Sequence, residues 1–218
     1  MQCFVIMFNR LTWPRLMAEY LSDTGCEVIL VDNASTYPPL LEWYESCPYK
    51  VYRLKENRGH MAVWSSGIVN EYPDQYYVVT DPDLDLSGVP RDYLDVLMKG
   101  LLGNSEVTKV GLSLMIDDLP TNTFTAQILE KEGKYWQAIR DLYGFYVAGV
   151  DTTFAVYDRE RGLNERFYWA LRSPEPYVAR HLPWYLTREN LTIEELFYLV
   201  RATDVSSFTR IFRENFGI

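Results

Sequence analysis

YYVVTDPDLDLSGVP, residues Tyr76 to Pro90, decides how the chain is read. An apolar, β-branched run stops at three aspartates, Asp81, Asp83 and Asp85, set at alternate positions. β-Branched and aromatic residues favour a buried, pleated strand, and Asp-rich stretches favour turns, so the junction marks a strand end. The spacing matches the opening of an EF-hand calcium loop, but such a loop needs glycine at its sixth position, here Leu86, and a helix before it. Two readings are left: a solvated acidic turn, or a metal and phosphate site at the carboxyl end of a parallel strand.

The surrounding pattern favours the second. Short apolar runs, Cys3–Phe8, Cys26–Asp32, Tyr49–Leu54 and Gln75–Thr80, alternate with segments of helical character, Leu11–Leu21 and a stretch opening at Asn57-Arg58-Gly59. That alternation is the rhythm of βαβ units and a parallel sheet. In open parallel sheets ligands collect beyond the carboxyl ends of the strands. Asp32, Asn57 and the Asp81/Asp83 pair each follow such an end, so they are expected to converge on one crevice. Beyond Asp85 the sequence predicts a helix over Pro90–Leu102, strands over Lys109–Ile116 and Gly149–Tyr157, and tail helices over Thr192–Arg201 and Ser206–Phe216. We read one domain, 1–218, with a nucleotide-binding half over 1–90 and a less regular acceptor-side half over 91–218.

With 218 residues, 48% hydrophobic and 23% charged, the chain is long and apolar enough to bury a sizeable core. A formal net charge of -9 argues against a nucleic-acid partner, which calls for a basic surface. Cys3, Cys26 and Cys47 show no CxxC spacing and read as buried thiols of a reducing compartment. No apolar run is long enough to span a bilayer and no signal peptide precedes CFVIMF, so a cytoplasmic, intracellular location is expected.

The ordered set VIMFNR, ILVDNAST, LKENRGHMAVWSSGI and YYVVTDPDL resembles the nucleotide-sugar-binding half of GT-A fold glycosyltransferases, in particular family 2-like bacterial and viral enzymes. GVDTTFAVYDRE and RHLPWYL are looser likenesses to late segments of such enzymes. The resemblance implies an α/β GT-A fold and a hexosyltransferase-like activity. A sugar would move from a nucleotide-diphosphate donor, UDP-linked by preference, to a hydroxyl of a glycan, glycoprotein or other carbohydrate acceptor, with Mn²⁺ favoured over Mg²⁺ as cofactor. Carboxylate-held divalent ions neutralise a diphosphate leaving group, which is why a DxD pair suits this chemistry.

By the same resemblance Asp83 would ligate the metal, and Asp81 would contact the metal or the ribose. Asp32 would recognise the base, and Phe8, Asn9 and Arg10 would line the nucleotide pocket. Asn57 and Arg58, with His60, stand where a donor phosphate could be held. His181 either completes the metal shell or is a structural histidine beside Pro183 and Trp184. Asp151 and Glu175 are the candidates for the base that deprotonates the acceptor hydroxyl. Trp136, Trp169 and Trp184 are candidate acceptor contacts. Two alternatives stand beside this: a sugar-phosphate nucleotidyltransferase, against which the glycine-free Phe8–Trp13 loop counts, and a non-catalytic metal- or carbohydrate-binding module.

Overall fold

The computed structural model describes residues 1–121, 124–162, 167–202 and 207–218. The first strand, β1 (Gln2–Met7), is buried along its whole length and is paired in parallel on both sides. That explains its unbroken apolar run, since a central parallel strand has no wet face. Cys3, Val5 and Met7 face one hydrophobic cluster, and Phe4 and Ile6 face the other. On the first face lie α1 (Thr12–Asp23), through Met17, Ala18 and Leu21, and, later in the chain, α4 (Tyr93–Gly103), through Leu97 and Leu101.

In chain order the other early elements are β2 (Glu27–Asp32), α2 (Pro38–Tyr44), β3 (Lys50–Arg53), α3 (Ala62–Ser65), β4 (Tyr76–Thr80) and β5 (Leu84–Asp85). The second half supplies β6 (Lys109–Gly111), β7 (Ser113–Leu114), α5 (Thr125–Trp136), β8 (Tyr146–Val147), β9 (Phe154–Asp158), β10 (Ala170–Arg172), β11 (Val178–His181), α6 (Ile193–Arg201) and α7 (Ser207–Phe216). Strands of both halves share one eight-stranded sheet, ordered β3-β2-β1-β4-β9-β6-β10-β8. The architecture is α/β with a large, mostly parallel sheet flanked by helices, as the GT-A resemblance implies.

Two pairings place the site. β9 runs antiparallel between β4 and β6, with Thr80 opposite Phe154, so the segment preceding β9 lies against the aspartates that follow β4. A small second sheet, β5-β11-β7, sets His181 opposite Leu84 and therefore beside Asp83.

Several predicted elements change shape. The helix expected after Asn57 breaks into a 3₁₀ turn at Gly59–Met61, the four-residue α3, and a second 3₁₀ turn at Ile68–Glu71. Gly67, at φ +80, ends α3 because that backbone conformation cannot continue a right-handed helix. The strand expected over Lys109–Ile116 divides into β6 and β7, which belong to different sheets. The strand expected from Gly149 starts only at Phe154, leaving 149–153 as loop. Ser206, the expected start of the tail helix, lies outside the described residues.

Candidate active site

A cavity of about 560 Å³ opens at the carboxyl ends of β1 and β4, and its wall includes Phe8, Arg10, Asn33, Asn57, His60, Asp81 and Asp83. Of the residues expected there, Asp151 and His181 also line it. Asn9, Asp32, Arg58 and Glu175 do not. Asp32 is fully buried, with Oδ1 accepting from the Tyr44 hydroxyl (3.0 Å) and Oδ2 from the Ser35 amide (3.1 Å). It ties β2 to α2, and both oxygens are already used. The Asn9 side chain accepts from the amides of Thr36 (2.7 Å) and Tyr37 (3.0 Å), an internal clamp at a residue with φ +50. Arg58 pairs with Glu56 on an outer surface, and Glu175 is exposed. Of the three tryptophans only Trp184 reaches the cavity.

Arg10 is the centre of the wall. Its guanidinium is buried and donates from Nη1 to Asp83 (2.8 Å) and from Nη2 and Nε to Glu195 (2.6 and 3.0 Å). It also stacks over the ring of Tyr198 at 3.5 Å. Burial alone would lower its pKa, but Glu195, Tyr198 and Asp83 overcome that and hold it charged. Glu195 and Tyr198 lie on α6, where Thr192 caps the helix by accepting from the Glu195 amide. Glu194 accepts from the amide (2.9 Å) and hydroxyl (3.1 Å) of Thr12, supplying the α1 N-terminus with the cap that Leu11 cannot give. The helix α6, expected from the sequence as a helix, is thus also part of the cavity wall through Tyr198 and Leu199. Its sequence does not announce that role, because early-helix glutamates look like ordinary capping charge.

Asp83, 7% exposed, shares one oxygen with Arg10. Its other oxygen, Oδ1, is buried with no hydrogen-bond partner among the described residues and lies 3.6 Å from Nε2 of His181. Burial holds the His181 imidazole below its ordinary value, outweighing the pull of Asp83, so this contact joins a neutral ring to a carboxylate. The ring also packs on Trp184, with centroids 4.8 Å apart.

Asp81 is fixed by β9's leading loop: its Oδ1 accepts from the Thr152 hydroxyl (2.9 Å), and its amide donates to the carbonyls of Thr152 (2.9 Å) and Thr153 (3.0 Å). Loss of water, then the charges of Asp83 and Asp151, pushes its pKa up to about 8. Beneath the same loop Lys109, fully buried, donates to the Asp151 carbonyl (3.1 Å), and burial pushes its pKa down to about 7. Arg172 and Glu132, which also line the cavity, pair at 2.7 Å.

The Asp81 shift has a measurable consequence in chelator. Its folded pKa lies above the unfolded value near 3.9. Between those values the native state keeps a proton that the unfolded chain releases, so this group's contribution falls as pH rises from about 4 to about 8. Asp81→Asn keeps an acceptor for Thr152 but cannot ionise. Its stability relative to wild type is expected to improve by about 1–3 kcal/mol between pH 5 and pH 8.5, discounted for the cavity's water. Urea midpoints at the two pH values check this; a constant difference would refute the shift.

Among the described residues no three His, Cys, Asp or Glu side chains form a ready-made metal cage. The donor set is hard carboxylate oxygen with one imidazole.

No family model and no curated protein matches the sequence. The structure is similar to that of S. aureus TarS, with a TM-score of 0.50 and 10% identity, covering 98% of this chain and 42% of that one. TarS 1-349 gives 0.49 at 11% identity, over 84% of this chain and 60% of that one. CMP:2-keto-3-deoxy-manno-octonic acid synthetase complexed with CTP gives 0.45 at 9% identity, over 73% and 74%. The likeness at 0.50 speaks for the fold alone, and the two below that score carry no weight. The chain spans 42% and 60% of the two TarS chains. No helix among the described residues is long and apolar enough to cross a membrane.

Proposed function

We propose that the chain is a glycosyltransferase that moves a sugar from a nucleotide diphosphate, UDP by preference, to a carbohydrate or glycoprotein hydroxyl. The observation that carries this is the buried, unpartnered Oδ1 of Asp83, set beside Asp81 in a cavity of about 560 Å³ at the carboxyl edge of the sheet. A buried carboxylate oxygen without a donor is costly, and a cation would satisfy it. Mg²⁺ and ions like it take one or two carboxylates and complete their shell with water and substrate phosphates, so the missing third protein ligand is no obstacle. Asp83 and Asp81 would hold the ion, Mn²⁺ by preference, with His181 at its edge; when bound it would supply charge neutralisation to the diphosphate.

The chain's own residues then divide the work. Arg10 adds a fixed positive charge next to Asp83. Phe8, Asn33 and Asn57 border the nucleotide end, and the base recognition expected of Asp32 passes to them, since Asp32 is fully buried and does not line the cavity. Three free cysteines fit a reducing, cytoplasmic setting. The nucleotidyltransferase alternative is less well supported, because the loop after β1 has no glycine and spends Asn9 and Arg10 on internal bonds.

A thermal-shift panel of UDP-, GDP-, dTDP- and CMP-sugars, with and without Mn²⁺, tests the reading. A rise in Tm with one nucleotide-diphosphate sugar, larger with Mn²⁺, and release of nucleoside diphosphate on incubation are expected. Stabilisation by free Mn²⁺ without any nucleotide response would favour a binding module instead.

A further inference from the structure

The loop from Gly149 to Thr153 stands where the sequence predicts a strand, and its carbonyls are held by groups outside any strand ladder. The Gly149 carbonyl accepts from Nε of Arg172 (2.8 Å) and the Asp151 carbonyl from Nζ of Lys109 (3.1 Å). The Thr152 and Thr153 carbonyls accept from the Asp81 amide (2.9 and 3.0 Å). Gly149, Asp151, Thr152 and Thr153 line the cavity, and the Thr152 hydroxyl donates to Oδ1 of Asp81 at 2.9 Å. The loop therefore sets where the Asp81 carboxylate points.

Lys109 is the least expected of these anchors. It lies on β6, between β9 and β10, with Tyr157 and Ala170 opposite it in register, both in the second hydrophobic cluster. It is fully buried. An apolar side chain would fill that place without losing hydration, whereas a buried cation is costly unless an opposite charge pairs with it. Its hydrogen-bond acceptors are both neutral, the Asp151 carbonyl and the Tyr157 hydroxyl (3.4 Å), and the nitrogen stands 3.4 Å from the centre of the Phe167 ring. Lys109 does not line the cavity, so no ligand there can reach it. What it does that an apolar residue of its size could not is to hold the loop. Two residues on, Gly111 lets the same loop come close: a Cβ at that position would stand 2.7 Å from Val150 and 2.5 Å from the Phe154 carbonyl oxygen.

We propose that Lys109 is a positioning residue, an internal tie that holds loop 149–153 from beneath and, through Thr152, directs Asp81 into the cavity. The use that Asp81 makes of that position, holding an ion for the donor diphosphate, rests on the transferase reading; the tie itself does not.

Lys109→Met keeps the length of the side chain and donates nothing, which separates positioning from packing. Its Tm should lie no more than about 2 °C below that of wild type, because removing a poorly paired buried cation offsets the lost hydrogen bonds. The Asp81 amide, whose acceptors are the loop carbonyls, should exchange at least about tenfold faster, with the amides of β1 unchanged. In titrations of UDP, the gain in affinity given by Mn²⁺ should fall at least about fivefold, with the affinity in chelator within about twofold of wild type. Thr152→Val leaves Lys109 in place and removes the hydroxyl that donates to Asp81, so it should lose the Mn²⁺ gain likewise. The double variant should lose no more than the stronger single, because both act along one path. A larger fall in Tm, or a methionine variant that does not fold, would make Lys109 a packing residue and overturn the proposal. Unchanged exchange at Asp81, or losses that multiply in the double variant, would overturn it too. A wild type with no response to any nucleotide would overturn the transferase reading, while the Tm and the Asp81 exchange of Lys109→Met still decide for or against the tie.

Discussion

Arg10→Met is expected to destabilise the protein by about 3–5 kcal/mol, the usual cost of removing one partner of a buried charge pair. For a chain of this size that is a Tm lower by roughly 6–20 °C. The guanidinium serves two acceptors at once, Asp83 at 2.8 Å and Glu195 at 2.6 Å, and all three side chains are buried. Methionine fills a similar volume and keeps contact with Tyr198, so packing loss is small and the measured cost reports the stranded carboxylates. Arg10→Lys separates charge from geometry. A lysine restores the positive charge but has no fork to span two carboxylates, so it should recover only part of the loss. Thermal unfolding of both variants checks this. A Tm for Arg10→Met within 2 °C of wild type would mean that Glu195 and Asp83 are hydrated and the network contributes nothing. Because Glu195 sits on α6, the methionine variant should also loosen that helix, seen as faster amide exchange there than in α1.

The same network shows what a sequence can and cannot reveal. The acidic end of β4 was legible because a β-branched run that stops at Asp-Pro-Asp encodes both the strand and its exit locally. Asp32 carries the same local signal at the end of β2 and has a different fate. Its carboxylate is taken by Tyr44, twelve positions on, from a seven-residue helix that begins with two prolines and leaves no clear periodic pattern. Glu195 meets Arg10 across 185 positions, and nothing in a capped, acidic helix start announces such a partner. Glu132 is equally silent, because Lys131-Glu132-Gly133-Lys134 looks like a solvated helix face until Arg172 is brought to it by β10. Local chemistry thus survives translation from sequence to structure, and pairing between distant segments does not. The exposure of Asp83 belongs to the second kind: a strand-end aspartate is expected in an open crevice, yet Arg10 and His181 close over it.

That burial shapes what Asp83→Asn should do. The asparagine oxygen can still accept from Arg10, which keeps Glu195, so the fold should lose only about 1–2 kcal/mol, the scale of one buried charge-assisted hydrogen bond. The larger effect is on the donor. With one anionic oxygen removed, a divalent ion has Asp81 alone, whose pKa near 8 makes it a poor ligand at neutral pH. Mn²⁺-dependent UDP affinity should therefore vanish, and turnover should fall by roughly 10²–10⁴-fold, the several kcal/mol that a bound ion contributes to charge stabilisation. Calorimetric titration of UDP into wild type and variant, each with Mn²⁺ and with chelator, gives four affinities. If the Mn²⁺ increment is present in wild type and absent in the variant, Asp83 holds the ion. If the wild type shows no increment at all, a fixed cation of the cavity wall meets the diphosphate in place of the ion, and Arg10, bonded to Asp83, is the one that this variant tests. Asp83→Asn should in that case tighten UDP binding by freeing the guanidinium from one of its two acceptors.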